Sequence, residues 1–220
     1  MARTITSGLL CVPSYDEAAV TAVRRVLHTA NLGAMILADR SVESRRYLVE
    51  ETLRRWCDED ELDLILTIGG TMPAAGPASH EIVPEATMAV LERSMPGLCE
   101  AMRAYATEES ALALLDRGVA GIRGRTLLVN LPAGAGAAAL FLEAIVDLLA
   151  PVLAHVNGDP DAPALAEAVN APQTDRAQKK RETQLVAAPP EDTESSEQRP
   201  RHSLDADEFA EFLRRRTSGE

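Results

Sequence analysis

The chain is predicted to adopt an α/β fold with a mainly parallel sheet, on three observations. Short β-branched or apolar runs alternate with longer stretches of helical periodicity from residue 4 to residue 156. The run "LDLILTI" (residues 62–68) is almost continuously apolar, the mark of a strand covered on both faces. Of the 220 residues 46% are hydrophobic but only 3% aromatic, so the core is built from Leu, Val, Ile and Ala.

"TITSGLLCVPS" (residues 4–14) reads as the first strand. "YDEAAVTAVRRVLHTANLG" follows as a helix, capped by Ser14 or Asp16 and stopped by Asn31-Leu32-Gly33. "AMILA" (34–38) is a short second strand. "SVESRRYLVEETLRRWCDEDE" is the second helix, with Ser41 or Glu43–Ser44 at its cap and Leu48, Leu53 and Trp56 as its inward stripe. After the central strand comes a Gly-Gly-Thr corner and a Pro/Ala/Gly/Ser loop. Pro84 suits a first helical turn, and Pro96-Gly97 should divide the helical stretch 84–110 in two. A turn at Arg123-Gly124-Arg125 precedes the strand "TLLVNL" (126–131), and residues 135–156 form a closing helix.

Beyond Val156 large apolar residues almost vanish. Residues 157–202 are expected to be a disordered, charged Pro/Ala-rich linker. Residues 203–220 have the pattern of a short amphipathic helix, with Leu204, Phe209, Phe212 and Leu213 on one face and a protein partner implied. The net charge of −12 argues against nucleic acid and against an anionic membrane surface. No run reaches the roughly 18 apolar residues of a membrane span, and residues 1–17 lack a signal peptide's apolar region. Three widely spaced cysteines, Cys11, Cys57 and Cys99, read as buried reduced thiols of a cytoplasmic protein.

A polar loop directly after a buried strand is either a plain tight turn or a ligand site, since open α/β sheets bind at the carboxyl ends of their strands. Gly69 and Gly70 permit positive φ and close approach, Thr71 adds a hydroxyl, and free N–H groups there can cradle phosphate. Asn130 ends the later strand and is a candidate to point into the same crevice. Gly134 and Gly136 open the closing helix with further N–H groups.

The ordered segments "DLILTIGGT…HEIVPEATMAVLERSMPGLCEAMR", "LLDRGVAGIRGRTLLVNLPAG" and "APVLAH" resemble the Mog/MoaB family of molybdopterin-binding proteins. The resemblance covers Leu62 to His155 well and the first sixty residues in layout. It implies a three-layer α/β/α domain over residues 1–156 and a homotrimer. It also implies binding of molybdopterin, with adenylylation of its phosphate by ATP and Mg²⁺ in active members. On it, Gly69, Gly70, Thr71, Glu100, Asn130, Pro132 and Gly134 are the expected substrate-binding residues, and Asp39 and Glu81 the expected catalytic and metal-holding carboxylates. The sequence departs from the family pattern in its N-terminal motif, where "CVPSYDEAAV" moves almost directly into helix, in a loop before Glu81 four residues longer than the pattern, and at several single positions. Met72 replaces the loop's fourth glycine, Glu81 an aspartate preceded by His80 rather than arginine, Asp116 the serine before Arg117, and "PAGAG" a Pro-Gly-x-Pro loop. Two alternatives share the architecture: a non-catalytic binding or scaffold domain, and a competence-damage-type nucleotide pyrophosphatase.

Overall fold

The computed structural model describes residues 4–73 and 81–170. Contacts group residues 1–171 as one unit and residues 172–220 as another. His80, the expected linker from residue 171 onward and the expected C-terminal helix over 203–220 lie outside the described residues.

The elements follow one another as β1 (Ile5–Cys11), α1 (Glu17–Thr29), β2 (Ala34–Ser41), α2 (Arg46–Asp58) and β3 (Leu64–Ile68), then α3 (Val83–Val90), β4 (Arg93–Ser94) and α4 (Pro96–Ala106). A 3-10 turn at Ala111–Leu115 leads to β5 (Ala120–Arg123), β6 (Thr126–Leu131), α5 (Ala135–Glu143), α6 (Val146–Val156) and α7 (Ala162–Asn170). The six strands form one sheet in the order β2-β1-β3-β6-β5-β4. β2, β1, β3 and β6 run parallel, while β5 and β4 join antiparallel at one edge.

Alternation along the strands divides the core. Leu9, Leu66, Val129 and their like face α1, α4, α5 and α6. Leu10, Ile65 and Leu128 face α2 and α3. All five residues of β3 are buried, as a central strand between two helical layers requires. Among the described residues no single helix is long and apolar enough to cross a membrane. The three cysteines are buried and free. Burial pushes the Cys57 and Cys99 thiols up to about 11.

Several boundaries differ from the sequence reading. The α2 cap is Arg45, with no side-chain cap bond, because Ser41 is taken into β2. The buried stripe of α2 uses Val49 where Leu48 was expected, alongside Leu53 and Trp56. The stretch 84–110 breaks at Leu91, ahead of Pro96, since Glu92 and Met95 donate backbone hydrogen bonds to β5 and draw the chain into the sheet. β5 pairs with β6 as a hairpin around Gly124. The closing stretch is two helices bent by 59°. Residues 162–170, placed by composition in the linker, form α7 and contact α6.

Candidate functional site

The sheet register brings three loops to one rim. Cys11 of β1 stands beside Ile68 of β3, and Ile68 beside Leu131 of β6. One step further the Val12 N–H donates to the Ile68 carbonyl at 2.9 Å, and the Gly69 N–H donates to the Leu131 carbonyl at 2.9 Å. The segments after β1, β3 and β6 therefore leave the sheet side by side, at the carboxyl ends where open α/β sheets bind ligands.

At the middle of this rim Gly69 has φ +98 and Gly70 φ +67. A Cβ on Gly69 would stand 2.2 Å from the Val12 carbonyl oxygen, so the glycine is required by the backbone of the neighbouring loop. The N–H groups of Gly70 and Thr71 donate to no acceptor among the described residues. Thr71 departs from expectation. It is fully buried, and its hydroxyl donates at 2.5 Å to Oδ2 of Asp116, 45 residues away. The other Asp116 oxygen accepts from the Gly118 N–H at 2.9 Å, and the Thr71 carbonyl accepts from the Arg117 N–H at 3.1 Å. The corner thus leaves the Gly70 N–H, on a half-buried residue, open to a ligand, while the Thr71 hydroxyl clamps the segment before β5. Thr71→Val is expected to lower stability by about 1–3 kcal/mol, because the buried Asp116 carboxylate loses a charge-assisted donor. Urea unfolding measures this, with Thr71→Ser close to wild type.

Pro132 is buried and Gly134, at φ +86, is half-buried as the N-cap of α5. The Gly134 N–H donates to Asp16 at 3.2 Å. The same carboxylate accepts from the Ala19 N–H at 2.9 Å and caps α1 as expected. Helix-start rules identify the cap but not the second bond, which ties the β6 loop to the β1 loop 118 residues away. An open concavity of about 530 Å³ adjoins the start of α5, lined by Glu17, Ala18, Thr21, Ala22, Arg25 and Ala135. It includes none of the expected ligand residues.

Asn130 is fully buried, and its side chain does not reach the crevice. Its Nδ2 donates to the hydroxyls of Thr67 and Thr87, both at 2.9 Å, and its Oδ1 accepts from the Val119 N–H at 3.1 Å. Even positions of β6 face α3, so this amide joins sheet, α3 and the segment before β5. In this arrangement the amide is an internal anchor. Glu100 is exposed on α4, one turn before Arg103. Arg103 donates to the carbonyls of Asp116 and Gly118 at 3.4 and 3.5 Å.

The two expected metal ligands have different partners. Asp39, on β2 beside Leu9, turns to the α1 side. Its Oδ2 accepts from the Tyr15 hydroxyl at 2.8 Å and from Arg24 at 2.6 Å, and the hydrogen bond to Asp39 raises the Tyr15 pKa. Its Oδ1 is buried with no hydrogen-bond partner. Glu81, at the approach to α3, is buried and accepts from Nη1 of Arg117 at 3.2 Å, while Nη2 of Arg117 meets Glu85. These two acceptors raise the Arg117 pKa, Glu85 more than Glu81. Among the described residues no three His, Cys, Asp or Glu side chains form a metal-binding group. Asp39 suits a magnesium ion through its bare oxygen, since Mg²⁺ is commonly held by one carboxylate plus ligand phosphates. Glu81 is engaged by an arginine.

Known proteins share this frame. A family model described as a probable molybdopterin binding domain matches residues 13–155. A molybdopterin adenylyltransferase of Helicobacter pylori (strain J99) is 37% identical over 118 residues, which are 54% of this chain and 65% of the relative. The chain thus spans less than two thirds of that relative's length. The molybdopterin adenylyltransferase of Escherichia coli K12 is 33% identical over 159 residues, covering 70% of this chain and 80% of the relative. The crystal structure of the molybdopterin biosynthesis enzyme MoaB from Thermus thermophilus is similar over 71% of this chain and 98% of its own, at 37% identity and a TM-score of 0.64.

Proposed function

The chain belongs to the probable molybdopterin binding domain family, and on that premise we propose that it binds molybdopterin at the carboxyl-end rim of its sheet and adenylylates it with ATP. One observation carries the reading. The loops after β1, β3 and β6 leave the sheet side by side, and the middle one carries the unused N–H of half-buried Gly70, while the Arg117 backbone is bonded to the Thr71 carbonyl next to it. Main-chain N–H groups are what a phosphate needs in a protein of net charge −12.

In the proposed reaction a phosphate oxygen of molybdopterin attacks the α-phosphorus of ATP. The bond to the β,γ-diphosphate breaks, and pyrophosphate leaves. The chain's contribution is positioning and charge. The Gly70 N–H would hold a phosphate oxygen, and α5 starts after β6 at the same rim. Asp39, held on one oxygen by Tyr15 and Arg24, keeps its other oxygen bare for a magnesium ion, which when bound would neutralise nucleotide phosphate charge. Asp39→Asn is expected to lower AMP transfer by about 100-fold, nearly 3 kcal/mol of barrier, with molybdopterin affinity little changed. Calorimetric titration with molybdopterin and a radiolabelled AMP-transfer assay separate the two quantities. Equal turnover in wild type and Asp39→Asn would remove Asp39 from the reaction.

A second reading, binding without transfer, is favoured by two features of the same corner. The Thr71 hydroxyl is spent on Asp116, and Glu81 is spent on Arg117. Molybdopterin uptake with no AMP transfer by wild type would establish it, and no uptake at all would end both readings.

A further inference from the structure

The loop after β1 runs only from Val12 to Asp16, and both its ends are tied. The Val12 N–H donates to the Ile68 carbonyl at its start, and Asp16 caps α1 and accepts from Gly134 at its end. Tyr15 stands between these ties. Its hydroxyl donates to Asp39 at 2.8 Å, and Asp39 is itself held by Arg24 at 2.6 Å. The tyrosine is thus fastened at its backbone and at its far tip, yet it is 47% exposed. With the hydroxyl engaged, the part of the side chain left to a ligand is the ring. Among the described residues of the three rim loops it is the one aromatic. Trp56 and Phe141 are buried, and Tyr47 and Tyr105 belong to α2 and α4.

We propose that Tyr15 is a stacking platform for the adenine base of the nucleotide. The inference rests on the reading that ATP binds at this rim with its phosphate charge neutralised at Asp39. A base stands one ribose away from its α-phosphate, a span comparable to the tyrosine side chain whose tip rests on Asp39. The ring meets the base while the hydroxyl keeps its bond to Asp39. Aromatic rings take planar heterocycles on their faces, and a ring already pinned loses little rotamer freedom when it does so. The contact favours a nucleotide over bare polyphosphate. It also links the two ends of the nucleotide, because the side chain that receives the base is the one that orients the carboxylate.

Calorimetric titration with Mg-ATP and with Mg-tripolyphosphate, which lacks ribose and base, tests this on wild type, Tyr15→Phe and Tyr15→Ala. Thermal melts confirm that each is folded. The quantity read is the ratio of the two affinities. Tyr15→Ala should lower that ratio about tenfold, and Tyr15→Phe should leave it within about twofold of wild type, because phenylalanine keeps the ring. The ratio is the signature. Loss of a hydrogen bond that merely positions Asp39 would weaken both ligands alike, and would do so equally in both variants. The inference is overturned if Tyr15→Ala leaves the ratio unchanged, or if Tyr15→Phe lowers it as much. It is also overturned if Tyr15→Ala weakens molybdopterin binding and spares Mg-ATP, which would put the pterin on the ring. In those three outcomes the functional reading stands. If wild type takes up molybdopterin but no Mg-ATP, the inference falls and binding without transfer remains. If it takes up neither, the functional reading falls as well.

Discussion

Gly69→Val is expected to destabilise the fold severely, the largest effect of any single substitution at the site. Residue 69 has φ +98, a conformation that costs a β-branched residue about 1–3 kcal/mol. The added Cβ would also stand 2.2 Å from the carbonyl oxygen of Val12. That oxygen cannot retreat cheaply, because the Val12 N–H is bonded to Ile68 in the same ladder. Strain and overpacking together are expected to exceed about 4 kcal/mol, against a total stability of about 5–15 kcal/mol for a typical domain. Gly69→Ala should show the same direction with a smaller size. Solubility and the urea midpoint measure both, and a Gly69→Val protein with a wild-type midpoint would contradict the geometry.

Asn130→Leu is the second. It nearly preserves volume but deletes three hydrogen bonds in a fully buried place, leaving the Thr67 and Thr87 hydroxyls and the Val119 N–H without this partner. The expected loss is about 2–4 kcal/mol. A cycle separates packing from polarity. With Asn130 intact, Thr67→Val plus Thr87→Val should be destabilising; added to Asn130→Leu the same pair should cost much less, because the orphaned hydroxyls are gone. Additive losses in the urea midpoint would mean that the three side chains do not act together. Ligand affinity should fall with stability in Asn130→Leu, since the residue anchors α3 and the segment carrying Arg117 rather than touching the ligand.

Much of the layout was legible locally. β3 announced itself as an apolar run bounded by glycines and is buried throughout. The end of α1 followed from Asn31 and Gly33, both of which take positive φ. Asp16 caps α1, and Pro84 sits in the first turn of α3. Each of these depends on residues a few positions apart, where periodicity and backbone sterics decide. The hairpin of β5 and β6 was half read, because "AGIR" is too short and too small-sided to carry a strand pattern and gains its structure from pairing. β4, at two residues, has no pattern of its own and exists because β5 is beside it.

The site divides along the same line. From the sequence alone came the α/β class, the parallel core strands and the place of the bare corner at Gly69-Gly70, since these follow from local hydrophobic pattern and from the one residue type that tolerates positive φ. Tertiary structure alone decided which polar side chains face inward. Thr71 turns to Asp116 at 45 residues' distance, Asn130 to Thr67 at 63, and Glu81 to Arg117 at 36. A buried polar atom must find a partner wherever the fold brings one, and no rule acting over a few residues of chain can name a partner that only sheet order and register deliver.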